Sequence, residues 1–384
     1  MVEWKTIEEA FELRNGYTPS KNNPEYWEGG TIPWFRMEDI RQNGHVLSDS
    51  IQHITPISVK KSGLFPANSI IMATTATIGE HALVIVDSQA NQQFTGLITR
   101  KSLIKSVLPR FAFYYCFLLG EWCKQHIHQG GFASVDMEGF KKYPFPVPPL
   151  AEQERIVGIL DTFTASIDNL KEQIAQRRKQ FDFYRDQLLD LEGKPGVQMK
   201  TIQDVCKRIC SGGTPSTAHK EYYEGNIPWL RTQEIDWHEI NDTEIKITED
   251  AITHSSAKLI PSHCVIVAMY GATAAKVAIN KIPLSTNQAC CNLEIDASKA
   301  LYKYVYHWLC KEYLKLKAMG EGSQNNINGQ KVKGYPIPLP PLSEQERIVS
   351  ILDTFEASIA NLEAQLEQRQ KQYEYYRNKL LTFE

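Results

Sequence analysis

Two stretches of this chain concentrate side chains that can exchange hydrogen bonds in several directions at once. The first reads Gly130-Gly131-Phe132-Ala133-Ser134-Val135-Asp136 and is followed by Lys141 and Lys142. The second reads Glu321-Gly322-Ser323-Gln324-Asn325-Asn326-Ile327-Asn328 and is followed by Lys331 and Lys333. Ser, Gln and Asn beside glycine suit contact with the edge of a nucleic-acid base, because an amide can pair bidentately with adenine. The same composition builds ordinary turns, and the residues leave both readings open. Phe132, Ser134, Ser323, Gln324, Asn325 and Asn326 are therefore candidate contacts, with Lys141, Lys142, Lys331 and Lys333 as the basic groups beside them. Thr74, Thr75 and Tyr270 complete the set.

A second motif, Ile32-Pro33-Trp34-Phe35-Arg36, returns as Ile227-Pro228-Trp229-Leu230-Arg231. Its tryptophan could stack on a base, but a Trp kept in one frame twice reads better as a core residue. Arg36 and Arg231 could grip phosphate or pair with the neighbouring Asp39 and Glu234. The Asn91-Gln92 pair recurs as Asn287-Gln288, so it cannot distinguish two sites; scaffold hydrogen bonding is the better reading.

Chemistry of other kinds finds no motif. There is no Gly-x-x-x-x-Gly-Lys-Ser/Thr loop for nucleotide phosphates and no Gly-x-Gly-x-x-Gly. The prolines at 148–149 and 340–341 lie in Val-Pro-Pro-Leu and Leu-Pro-Pro-Leu, without the acidic or amide residue and aromatic that would grip an amine for methylation. No acidic cluster with a lysine suggests a nuclease, and the ten histidines form no His-Glu-x-x-His. Cys206 and Cys210 are one helical turn apart, yet no second pair completes a zinc site. A binding protein is expected rather than an enzyme with an unrecognised site.

The elements that must position these residues are repeated. Residues 149–192, opening Pro149-Leu150-Ala151-Glu152-Gln153-Glu154-Arg155-Ile156-Val157, return as 341–384, opening Pro341-Leu342-Ser343-Glu344-Gln345-Glu346-Arg347-Ile348-Val349. Roughly two-thirds of the aligned positions are identical. Apolar residues recur at alternating steps of four and three: Ile156, Leu160, Phe163, Ile167, Leu170 and Ile174, then Ile348, Leu352, Phe355, Ile359, Leu362 and Leu366. This is a coiled-coil seam on a rod of about 60 Å. Arg177 and Arg369 interrupt it at the same place; each either snorkels out on its apolar stem or fixes the register of the pair. One such rod cannot bury its stripe alone, whereas two can bury theirs on each other. A proline-rich stop precedes each rod, and Gly193-Lys194-Pro195-Gly196 ends the first.

The remaining segments, 1–148 and 193–340, are diverged copies of one α+β module. Ser69–Ala73, Ala82–Val86 and Cys264–Ala268 read as buried strands. Phe111–Gln125 and Leu301–Met319 read as helices packed on them. Net charge is −3, but it is uneven. Residues 1–150 carry 14 basic and 14 acidic residues and 193–342 carry 17 and 14, while the helices carry 6 against 9 and 5 against 8. The acidity lies in the rods, so it does not argue against nucleic-acid binding by the heads. Scattered cysteines suit a reducing compartment, no run is long enough to span a bilayer, and the N-terminus lacks an apolar leader, so a cytoplasmic location is expected.

The Pro-Leu-x-Glu-Gln-Glu-Arg-Ile-Val openings, the Tyr-Pro-x-Pro-x-Pro-Pro lead-ins, Gly16-Tyr17-Thr18-Pro19-Ser20 and Ile-Pro-Trp-x-Arg together resemble the specificity subunit of type I restriction–modification systems, over the whole chain. The resemblance implies two target-recognition domains (1–148 and 193–340) alternating with two helices (149–192 and 341–384) that pair as an antiparallel, pseudo-two-fold coiled coil. It implies that each head reads half of an asymmetric double-stranded DNA site and that the rods set the spacer. Two modification subunits would dock there carrying S-adenosylmethionine, joined in some systems by restriction subunits using ATP and Mg. No cofactor is expected in this chain. A decayed subunit that assembles the complex without reading DNA is the competing expectation.

Overall fold

The computed structural model describes residues 2–128, 133–321 and 326–383. The chain forms two compact units, Met1–Lys171 with Ala364–Glu384, and Glu172–Glu363. The two long helices, Leu150–Leu188 and Leu342–Leu381, each contribute one half to either unit.

In the first unit a five-stranded sheet runs in the order Phe11–Asn15, Phe94–Thr99, Ser69–Ala73, His81–Val84, Val46–Leu47. Neighbours are antiparallel except the last pair. Ser69–Ala73 is buried at every position, as expected of a strand covered on both faces. One face meets the helix Pro109–Gln125, which buries Phe111, Tyr114, Tyr115 and Leu119. Gly79 (φ +88°) lets this helix approach closely, since a Cβ at Gly120 would lie 2.5 Å from the Gly79 carbonyl oxygen. A three-stranded sheet, His53–Ile54, Ile32–Phe35, Gln89–Ala90, carries the Pro-Trp motif.

The second unit repeats this build. Its five-stranded sheet orders Cys206–Ser211, Cys290–Ile295, Val265–Ala268, Val277–Asn280, Glu239–Ile240. A four-stranded sheet places Ile227–Leu230 between Lys246–Ile247 and Leu284–Thr286. Strand lengths differ from the sequence expectation by a residue or two: His81–Val84 replaces 82–86 and Val265–Ala268 replaces 264–268.

Three expectations are corrected. Cys206 and Cys210 lie on a strand, not a helix, and burial pushes the Cys206 thiol up to about 12. The segment 301–319 is two helices, Tyr302–Lys311 and Tyr313–Ala318, broken at Glu312. There the Glu312 carboxylate turns inward, 5% exposed, to accept from the Tyr335 hydroxyl at 2.8 Å. The proline-rich lead-ins are strands rather than stops. Pro144–Val147 pairs antiparallel with Glu3–Thr6, and Pro336–Leu339 with Gln198–Thr201. Each ribbon has only two strands, so a proline without an N–H can face away from its partner.

Within each unit the rods run antiparallel. In the first, Phe163 stacks on Tyr376 with centroids 5.5 Å apart; in the second, Phe355 stacks on Tyr184 at 5.4 Å. Ile156, Leu160, Ile167, Leu170, Ile174, Ile348 and Leu352 are buried. Phe163, Phe355, Ile359, Leu362 and Leu366 are half-buried. Each head core takes in the start of one rod and the end of the other: Ile156, Leu160 and Leu381 in the first unit, Ile348, Leu352 and Leu189 in the second.

Candidate nucleic-acid interface

The shared motifs build the frame of each head. Trp34 is 2% exposed and Trp229 5%. Their indole N–H groups donate to Tyr17 O at 2.9 Å and Gly213 O at 3.0 Å. Their backbone N–H groups donate to Ser50 Oγ and Thr243 Oγ1, both at 3.0 Å. Asp39 accepts from the backbone N–H of Arg36 and Ile51, both at 2.7 Å. Glu234 accepts likewise from Arg231 at 3.2 Å and Glu244 at 2.9 Å. Thr18 bonds Gln92, and Thr214 bonds Gln288. The two buried tryptophans, bonded through both their indole and backbone N–H groups, hold a loop frame rather than present a stacking surface.

The arginines of this motif divide. Arg231 is held by Glu244 and lies 3.5 Å from Glu234. The Arg36 guanidinium does not meet Asp39; it lies 5.7 Å from the Trp34 ring centroid and 3.8 Å from Glu38.

In both heads the loop after a central strand meets the closing loop. Val135 N donates to Thr74 O at 3.0 Å, and Thr75 bridges Ser134. Thr74 is itself buried, its hydroxyl 3.0 Å from that of Thr95. In the second head Ile327 N donates to Met269 O at 2.9 Å, and Gly271 N to Asn326 Oδ1 at 3.1 Å. Thr74, Thr75 and Ser134 thus come together, as do Tyr270 and Asn326, with Tyr270 41% exposed. Phe132, Ser323, Gln324 and Asn325 lie outside the described residues.

Short helices follow both closing loops, capped by Asp136 and Asn328, whose side chains accept from N–H groups of the first turn. The basic residues sit on these helices. Lys141 pairs with Glu138 at 2.7 Å, and Lys142 is exposed. Lys331 is occupied in holding the loop, donating to Met319 O at 2.6 Å and pairing with Glu321. Lys333 is half-buried. Of these candidates Lys142 and Tyr270 are exposed, whereas Arg231 and Lys331 already have partners.

One pair of functional positions escaped the sequence reading. Gln153 and Gln345, each fully buried, clamp a rod to its own head. Leu108 N donates to Gln153 Oε1 at 2.8 Å, while Gln153 Nε2 donates to Ser106 O at 2.7 Å and Pro148 O at 2.8 Å. Gln345 repeats this with Leu301 N at 2.9 Å, Pro340 O at 2.9 Å and Lys299 O at 3.3 Å. The signal available was a Gln kept at the same place in the two repeats, beside glutamates of which Glu152 and Glu344 pair outward with Arg155 and Arg347.

No described helix is long and apolar enough to cross a membrane. The family model for the type I restriction modification DNA specificity domain matches residues 1–177 and 195–370. The chain is 47% identical over 222 residues to the type I restriction enzyme EcoprrI specificity subunit of Escherichia coli, covering 54% of each protein. It is 38% identical over 260 residues to the EcoR124I/EcoR124II specificity subunit of the same species, covering 63% of each. These matches span half to just under two-thirds of the relatives' length. The crystal structure of the S subunit of a type I system from M. genitalium superposes with a TM-score of 0.57 at 15% identity, over 100% of this chain and 97% of that one, and shares the fold. With both halves matched by one family model, the chain belongs to the type I restriction–modification DNA specificity family.

Proposed function

We propose that this chain is the address subunit of a type I restriction–modification complex, non-catalytic in itself and working in the cytoplasm. Residues 1–148 and 193–340 each read one half of an asymmetric, bipartite double-stranded DNA site. The rods, 149–192 and 341–384, set the unread spacer and dock two modification subunits. S-adenosylmethionine belongs to those subunits, and ATP with Mg to restriction subunits where a system has them.

The observation that carries this reading is the contrast within one chain. Two heads keep the same hydrogen-bonded tryptophan frame yet differ in the loops that the frame presents: Thr75 and Ser134 against Tyr270 and Asn326. A common frame with unlike reading residues suits two unlike half-sites, because frame contacts position and side-chain contacts at base edges specify.

Exchanging residues 1–148 for the first head of another specificity subunit tests the reading. Methylation mapped in cells should then change in one half of the recognised motif and leave the other half and the spacer alone. Change in both halves would contradict the division of labour.

A further inference from the structure

His307 is an anomaly of the second unit. It is 1% exposed, on the inner face of the helix Tyr302–Lys311, and neither ring nitrogen has a hydrogen-bond partner among the described residues. A buried imidazole left without partners costs free energy on the order of 1–3 kcal/mol. Asp353 and Glu356 face it from the second rod, three residues apart and so on one side of the helix. Ligand atoms of these three residues all lie within 4.8 Å of one another. His307 and Glu356 also line a cavity of about 460 Å³ with Phe181, Arg185 and Cys310.

The first unit provides an internal control. Arg110 pairs with Asp161 there as Lys303 pairs with Asp353 at 2.8 Å here, which fixes the correspondence of helix and rod. Four residues beyond Arg110 stands Tyr114, and the rod position matching Glu356 is Thr164. Tyr114 donates its hydroxyl proton to Asp161 at 2.5 Å, so that site is closed by its own side chains. The second unit has exchanged a self-satisfied Tyr and Thr for a His and a Glu. Both new side chains are metal ligands, and they arrive together.

We propose that His307, Asp353 and Glu356 form a binding site for a first-row divalent cation, zinc foremost, that ties the helix of the second head to its rod. One imidazole nitrogen and two carboxylate oxygens are a donor set that zinc accepts, with water in the fourth position. Bonds of about 2.0–2.2 Å would draw the ligand atoms closer together than their present spread of up to 4.8 Å. Metal binding uses the neutral imidazole. Lys303 meets Oδ1 of Asp353, which leaves the other carboxylate oxygen to turn toward the ion.

The test uses the untagged full-length chain, stripped with a chelator and titrated with Zn²⁺ and Co²⁺. One equivalent of zinc should survive gel filtration, cobalt should give a visible d–d band, and zinc should raise Tm by several degrees. The variant His307→Tyr with Glu356→Thr installs the pair that the first unit uses. It should fold with an unchanged circular dichroism spectrum and lose the metal, the band and the Tm rise. If that pair fails to fold, Glu356→Gln should still weaken zinc binding at least tenfold. A wild-type chain that retains no zinc and shows no cobalt band overturns the proposal, and so does undiminished binding by either folded variant.

Discussion

The guanidinium of Arg369 lies over the ring of Phe163, its central carbon 5.6 Å from the ring centroid. The repeat counterpart does the same: Arg177 lies over Phe355 at 5.8 Å. Both arginines fall where the apolar seam is interrupted, and each covers the aromatic that its partner rod offers. Each guanidinium, half-buried, is held against the other rod. A slip of one heptad would separate both pairs.

A double-mutant cycle between Arg369→Gln and Phe163→Leu should give a coupling of about 0.5–1 kcal/mol, the usual size for a half-exposed cation–π contact. Chemical denaturation measures it. A coupling near zero would mean that the arginine merely passes by the ring.

Gln153→Ala removes three hydrogen bonds and strands the Leu108 N–H and two carbonyls inside the first unit. The expected loss is about 2–4 kcal/mol, read as a fall in Tm of roughly 5–10 °C. Glu152→Ala, one residue away and paired only with exposed Arg155, should cost about 0.5 kcal/mol or less. Equal losses would refute the clamp.

His81 is buried against Phe113 and Phe117, and burial displaces its pKa down to about 3. The folded head refuses a proton that the unfolded chain accepts below its ordinary value of 6.5. Stability therefore falls as pH drops from about 6.5 toward 3, by up to about 1.4 kcal/mol per pH unit from this residue. His81→Gln should flatten the unfolding free energy across that window. Parallel curves for variant and wild type would contradict the assignment.

Much of this architecture is legible in the residues because its cause is local. A 3.5-residue apolar repeat announces paired rods, and two copies of it predict their partner. The Ile-Pro-Trp frame is visible because it recurs. What stays hidden depends on contacts distant in sequence. Gln153 looks like one more polar residue on a charged first turn until Leu108, 45 positions away, is seen bonded to it. His307 looks like a member of an aromatic helix until Tyr114 is recognised as its counterpart. Lys331 reads as a free basic group, but Glu321 and the Met319 carbonyl have claimed it. The strand made by Pro336–Leu339 is equally opaque, since its prolines are tolerated only where an edge faces away from the partner, which lies far off in sequence at Gln198–Thr201.

The rods as a ruler can be tested by inserting one heptad into each. Seven residues lengthen a helix by about 10 Å, close to three base-pair steps at about 3.4 Å each. The spacer in the methylated motif should grow by about that amount, with both half-sites unchanged. An unaltered spacer would mean that the rods do not set the distance.

The most direct measurement is genome-wide mapping of N6-methyladenine in a methylation-free host expressing this chain with its cognate modification subunit. The account predicts one bipartite motif with two unlike halves, absent when this chain is left out. A stable complex that methylates no defined motif would contradict it, leaving a chain that assembles the complex without reading DNA.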